Sequence, residues 1–462
     1  MIRYYIVLFL LVTINLKSQT TIITGNAQDQ ADKLVRVIVY DDLFSGLEKT
    51  IVSSSTDQFG DFAFKIDIDH SQFAFLALEL DKGQFYLSPG SSFRFEIPLD
   101  TNLNKGSVFD RLPLSFELFA DDGGLQTSIE EFNIKYNNFV YNNVNRIYRT
   151  KDNSVVNNFI DQINENYSND RSTYFYNYVN YTLASLKWLS RIKSNQEILG
   201  EYFINKNVLY HNIQYCEFFK EFFKSYFNSE KIFRYEDLIP VLNQSKSITP
   251  LIELISRDTL LSKDSRIVEL ASMLIMSRYY YDRNVNKRSV IKKLTEISVN
   301  SSFSENRLIA ANYIRVLTSL ESGTKAPNFD LRDASGNNVS LKNYEGKFVL
   351  LAFVDNDCQM CEYHMNLIND LKNQLGFDVI SIVSGTANDE LIEFAGDRNY
   401  NWPIVSIDND ILLLEDYKVK VFPTYIFINP DGTIAYVHLP MPEESMELYI
   451  KRFMNNYNAK MN

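Results

Sequence analysis

Three rhythms of hydrophobic and polar positions follow one another along the chain. From about Thr20 to Asp100 apolar residues alternate with polar ones. The stretch FAFKID sets Phe62, Phe64 and Ile66 on one face, and FRFEI does the same with Phe93, Phe95 and Ile97. A period of two is that of a half-buried strand. The turn-like stretches QFGD, DKG and SPGS interrupt these runs at short intervals. The expectation is an N-terminal antiparallel β-sandwich over residues 20–105, carrying no chemistry of its own.

The period then lengthens. SRIVELASMLI places Ile267, Leu270, Ala271 and Leu274 at i, i+3, i+4 and i+7, one face of a helix. Ser304 and Glu305, followed by Leu308, Ala311 and Leu317, have the form of a capped helix start. SLKWLSRI and YCEFFKEFFKSYF repeat the helical spacing, and their aromatic stripes read as core. Residues 110–320 are therefore expected to form a central α-helical region.

After the linker ESGTKAPNF, punctuated by Gly323 and Pro327, strands and helices alternate over residues 323–462. KFVLLAFV is a continuous apolar run, as in a strand buried on both faces. A helix should open at Cys358 and run toward Leu375. The strand FDVISIVS follows, then a helix in NDELIEFAGDR capped near Asn388, then the strand WPIVSI and a short helix in ILLLEDY. TYIFINPDGTIAYVHL is a hairpin turning at Asn429-Pro430-Asp431-Gly432, and EESMELYIKRF closes the chain as a helix.

The first residues change the picture of where the protein works. Arg3 precedes an apolar run from about Ile6 to Ile14, and the small residue Ser18 follows in a polar stretch. That layout predicts a secretory signal over residues 1–18, with an apolar run too short to span a bilayer. No cysteine follows the run, so a lipid anchor is not indicated, and no later stretch has the length of a membrane helix. The mature protein is expected in the periplasm or cell envelope, without spanning the membrane. With 462 residues, two or three domains are expected. The net charge of -12 excludes a nucleic-acid surface, which needs concentrated basic residues.

Only three cysteines are present, too few for a disulfide framework even in an oxidising compartment. Cys216, set among aromatics in HNIQYCEFF, reads as a buried apolar residue. Cys358 and Cys361, in VDNDCQMCEYH, are different. Cysteines three apart in the first turn of a helix share a face. The first meets unsatisfied backbone N–H groups that favour a thiolate, which can lower a thiol pKa from about 8.5 to about 3.5–7.5. Cys358 would then attack a disulfide, and Cys361, one turn deeper, would resolve the mixed disulfide. A zinc clamp needs four ligands, and the soft candidates are only Cys358, Cys361, His364 and the distant His438. Haem attachment needs His directly after the second cysteine, where Glu362 stands. Glu362 and His364 are candidates for proton handling, against the simpler reading of a solvated helix face.

A second feature is KVFPTYIFI. Pro423 stands at the entry to a strand, awkward for a trans proline unless the strand is an edge. A cis Phe422–Pro423 bond would leave the Phe422 backbone free to pair with a bound peptide.

Taken in order, GTKAPNFDLRDASGNNVSLKNYEGKFVLLAF, the C-x-x-C pair and YKVKVFPTYIFINPDGTI resemble the thioredoxin fold. The likeness is to its exported TlpA/ResA-like branch of thiol-disulfide oxidoreductases. The resemblance covers roughly 140 of 462 residues, from about Gly323 onward. It implies a C-terminal thioredoxin-like α/β domain with Cys358 as nucleophile, Cys361 as resolving thiol and Pro423 as the cis proline. Phe422 and Thr424, flanking Pro423, would bind substrate. Disulfide-containing proteins would be the substrates and a thiol compound or protein the electron donor; neither cofactor nor metal is called for.

Two positions depart from the family's pattern. Asp357 stands where members usually carry an aromatic, and Ala352 stands six residues before the nucleophile, where many thioredoxins keep a carboxylate. One exposed carboxylate opposes ionisation of Cys358 by at most about 1 kcal/mol, against about 0.3–1 kcal/mol in favour from the helix end. The balance leans toward a reductase or slow exchanger. The rival reading is a non-catalytic binding or scaffold protein of the cell envelope.

Overall fold

In the computed structural model, residues 18–99, 109, 113–167, 173–229, 234–244, 247–384, 400–407 and 410–461 are described. The expected signal segment up to Lys17 and the helix expected near Asn388 lie outside them. The chain divides into two compact units. One holds the chain up to Leu78, Lys82–Leu99 and Leu114–Ile314, and the other holds Glu79–Asp81, residues 100–113 and Arg315–Asn462.

In the first unit, strands β1 (Gln19–Ala27), β4 (Asp61–Ile68), β7 (Ser92–Ile97) and β8 (Glu117–Asp121) form a four-stranded sheet in the order β4-β1-β7-β8. Strands β2 (Leu34–Asp42), β3 (Leu47–Ser55), β5 (Gln72–Leu78) and β6 (Asp81–Leu87) form a second sheet in the order β3-β2-β5-β6. The alternation read from the sequence sets the burial. Phe62, Phe64, Phe93 and Phe95 from the first sheet share one core with Val35, Val37, Leu76 and Phe85 from the second. Ile66 is only partly buried against that core. Strand β8 lies inside the stretch expected to be helical. It pairs with β7, and Phe116 packs edge-on against Phe95; the edge of the sheet outweighed a weak local signal.

Helices follow, among them Leu125–Val144, Tyr174–Leu189, Ile213–Ser229, Ser265–Tyr279 and Ser304–Thr318. The aromatic stripe of Ile213–Ser229 is core: Phe219, Phe222, Phe223 and Tyr226 are fully buried. Phe203 packs against Phe219, Phe222 and Phe223 at centroid distances of 5.3–5.5 Å. Such ring pairs are worth about 0.5–1.5 kcal/mol each beyond area burial. Cys216 is buried and unbonded to another cysteine.

The second unit is built on a five-stranded sheet in the order β13-β12-β11-β14-β15. After a small antiparallel pair, β9 (Asp330–Arg332) and β10 (Asn338–Ser340), its strands are β11 (Val349–Asp355), β12 (Asp378–Ser384), β13 (Ile404–Ser406), β14 (Thr424–Ile428) and β15 (Ile434–Val437). Strand β11 runs parallel to β12 and antiparallel to β14. The apolar run of β11 serves two cores. Leu350, Ala352 and Val354 face one, while Val349, Leu351 and Phe353 face the other. Both faces being covered is why the run does not alternate.

The helix Gln359–Leu375 is the crossover between β11 and β12, as a parallel pair requires. Cys361, Met365, Ile368 and Leu371 bury its inner face against the sheet, each large side chain contributing about 1.5–3 kcal/mol. Gly376 ends it at φ 74°, a left-handed cap that suits glycine. Among the described residues no helix is long and apolar enough to cross a membrane.

Candidate active site

Strand β11 ends at Asp355, and a short turn delivers Cys358 to the N-cap of the helix Gln359–Leu375. The backbone N–H of Cys361 donates to Cys358 Sγ at 3.1 Å. The first sulfur therefore occupies the place where a capping side chain satisfies an orphan donor. Cys358 and Cys361 are joined as a disulfide with Cα atoms 5.2 Å apart. Cys358 is half-buried, and Cys361 is only 2% exposed.

The rim is acidic. Asp357 is exposed, and its N–H donates to Asp355 Oδ1 at 3.1 Å. Burial pushes the Asp355 carboxyl above its usual range, the Asp357 N–H pulls it back, and the Asp357 charge raises it further.

The antiparallel register sets Thr424 opposite Phe353 and Tyr425 opposite Ala352. Pro423 thus precedes β14 at the end of the sheet where β11 turns into the dithiol loop. The Phe422–Pro423 peptide bond is cis. Thr424 is buried, and its hydroxyl donates to Val421 O at 2.7 Å. Phe422 is half-buried, its ring 4.7 Å from that of Phe109. Apolar side chains lie exposed beside both features: Met360 and Tyr363 on the helix, Val421 before the proline.

Beneath the dithiol the expectation for His364 is corrected. It is 1% exposed, not on a solvated helix face. Its Nδ1 lies 3.1 Å from the Tyr425 hydroxyl and its Nε2 3.1 Å from Glu443 Oε1. The neutral tautomer that satisfies both contacts takes the Tyr425 O–H at Nδ1 and donates Nε2–H to Glu443. Burial, then the Glu443 charge, raise the Tyr425 phenol far above its usual value. The Glu443 carboxyl is lowered, first by its own backbone N–H; desolvation opposes this, and the hydrogen bond and charge of His364 lower it further. The His364 spacing from Cys361 was legible; its partners are not, since Tyr425 is 61 residues away and Glu443 79. Phe109 was likewise missed, for nothing local marks it. Glu362, the other proton candidate, lies exposed on the outer side of the helix.

Compared with known proteins, residues 322–437 match the model of the AhpC/TSA family. The chain is 32% identical over 141 residues to the thiol-disulfide oxidoreductase ResA of Bacillus subtilis, an alignment covering 30% of this chain and 76% of that protein. With ResA of Halalkalibacterium halodurans the identity is 31% over 146 residues, covering 30% of this chain and 82% of that one. Among solved structures, the thioredoxin domain of a thiol-disulfide oxidoreductase from Bacteroides vulgatus is 25% identical, with a TM-score of 0.27. That alignment covers 29% of this chain and 99% of that domain.

Proposed function

Given that the chain belongs, through its C-terminal region, to the ResA-like thiol-disulfide oxidoreductases, we propose that it reduces or exchanges protein disulfides outside the cytoplasm through Cys358 and Cys361. The observation that carries this reading is the asymmetry of the pair: a half-buried sulfur at a helix N-cap, bonded to a buried sulfur one turn deeper.

The chemistry follows from that asymmetry. A donor thiol first reduces the Cys358–Cys361 bond. The Cys358 thiolate, stabilised by the helix terminus, then attacks one sulfur of a substrate disulfide. A Cys358–substrate bond forms, and the other substrate sulfur leaves as thiolate and takes a proton from water. Cys361, deprotonated, attacks Cys358 Sγ. The internal disulfide re-forms and the second substrate sulfur departs, so two electrons pass from the dithiol to the substrate. The negative charge on the Asp357 side works against ionisation of Cys358, which favours a reductase over a strong oxidant.

The cis Phe422–Pro423 segment supplies the docking edge, with the Phe422 backbone and the exposed Met360, Tyr363 and Val421 receiving an extended, partly apolar peptide. In this reading Thr424 acts through its hydroxyl bond to Val421 O, holding the proline loop rather than touching the peptide. We read the two facing sheets of the first unit as a β-sandwich without chemistry, and residues 1–18 as the signal that exports the chain.

The test is direct. Reduced wild-type protein should reduce insulin disulfides, and Cys361→Ser should accumulate a mixed disulfide through Cys358. Failure of both would remove the catalytic reading.

A further inference from the structure

The reaction needs Cys361 to lose a proton where water does not reach. Cys361 is 2% exposed and lies in one apolar cluster with Ala352, Val354, Met365 and Tyr425. Burial disfavours the thiolate and raises the thiol pKa. Ala352 offers no carboxylate to take the proton. Its cross-strand neighbour on the same face is Tyr425, so the space beside the small side chain is filled by a phenol.

One turn along the helix from Cys361, on the same inner face, is His364. Residues at i and i+3 of a helix hold their Cβ atoms about 5–6 Å apart. The imidazole is bracketed by Tyr425 on the sheet and by Glu443, which lies ahead of the final helix, Met446–Met461. Glu443 keeps 41% of its side chain exposed, whereas His364 keeps 1%. The three groups thus form a polar line to water from the buried layer that also holds Cys361. The titratable groups that touch His364 among the described residues are Tyr363 on its own helix, Tyr425 from β14 and Glu443 from the segment before the last helix, with Cys361 buried three residues earlier on the same helix.

We propose that His364, held by Tyr425 and Glu443, is the proton-relay residue for Cys361 and sets the pH range in which the resolving step is fast. The inference rests on the reading that Cys361 resolves the mixed disulfide. In that step the Tyr425 phenol passes its proton to His364 Nδ1 and takes the proton of the Cys361 thiol, with which it shares the buried cluster. The sulfur electron pair forms the bond to Cys358 Sγ, and the Cys358–substrate bond breaks toward the substrate sulfur. That thiolate is protonated by water, and the imidazolium returns its proton to solvent along Glu443. His364 acts through Cys361 and touches no substrate.

The experiment uses the full-length reduced protein and one equivalent of the aromatic disulfide 5,5′-dithiobis(2-nitrobenzoate). The first thiolate released reports attack by Cys358, and the second, unimolecular, reports resolution by Cys361. Both phases are followed from about pH 5 to 9.5. His364→Gln keeps the shape and the hydrogen-bonding groups but not the proton acceptor. The second phase should slow by about 10–100-fold near pH 7. The deficit should shrink as pH rises and Cys361 ionises to solvent unaided. His364→Glu, which restores an acceptor, should recover most of the rate. A deficit of constant factor at every pH, no deficit, or a His364→Glu as slow as His364→Gln would mean a packing role and overturn the proposal.

Should His364→Gln fail to fold, Glu443→Gln is measured in the same way. Loss of the carboxylate that steadies the imidazolium should displace the low-pH limb of the second phase, and an unmoved limb overturns the relay. A wild-type protein with a first phase and no second would instead remove the resolving role of Cys361 itself.

Discussion

The two sulfurs of the dithiol are neighbours on one helix, yet their surroundings are opposites. Cys358 follows the acidic turn Asp355–Asp357, is only half-buried and is followed on its helix by the exposed Met360. Around Cys361 lie Ala352, Val354, Met365 and Tyr425, with the His364–Glu443 pair threading out. A thiol that must meet a substrate needs solvent, a helix terminus and room. A thiol that must wait for an internal attack needs burial. The order of attack is set by where the chain puts each sulfur; the spacing of the cysteines alone is symmetric.

The largest blow to this contrast is to charge the dry side. Ala352→Asp places a carboxylate against Tyr425 and the buried thiol, and should cost about 2–4 kcal/mol in urea denaturation. A neutral result would mean the floor is wet. Tyr425→Phe removes one partner of the buried imidazole and should cost about 1–2 kcal/mol, read as a shift of the urea midpoint at constant slope.

On the wet side effects should be smaller. Phe109→Ala deletes a ring pair worth about 0.5–1.5 kcal/mol and uncovers Phe422, so the KM for an unfolded-protein substrate should change more than kcat. Equal changes would place Phe109 outside the docking edge. For Asp355 the sign comes from its raised carboxyl. The folded state binds the proton more tightly than the unfolded, so the group's contribution is present below the unfolded pKa and lost as pH rises through the folded value. Asp355→Asn should therefore raise the melting temperature at pH 7 and leave it unchanged near pH 3. Smallest of all, Asp357→Asn should lower the Cys358 pKa by a few tenths of a unit.

Much of the second unit could be read from the chain because its signals are local. A run such as KFVLLAFV, a cysteine pair at a helix start and a turn such as Asn429-Pro430-Asp431-Gly432 each act within a few residues. What could not be read depends on register. That Tyr425 stands opposite Ala352 follows only from how β14 pairs with β11. That Glu443 reaches His364 depends on a return of the chain far downstream. Strand β8 was missed for the same reason, being held by a partner rather than by its own pattern.

The claim at the centre is that Cys358 is the accessible, more acidic thiol and Cys361 the sheltered one. The most direct measurement is the pH dependence of alkylation of the reduced protein by iodoacetamide, with the modified cysteine identified by mass spectrometry. Cys358 should be labelled first, with a midpoint below the ordinary value of about 8.5 for a free thiol, and Cys361 should resist until far more alkaline pH. Labelling of Cys361 at an equal or greater rate would contradict it.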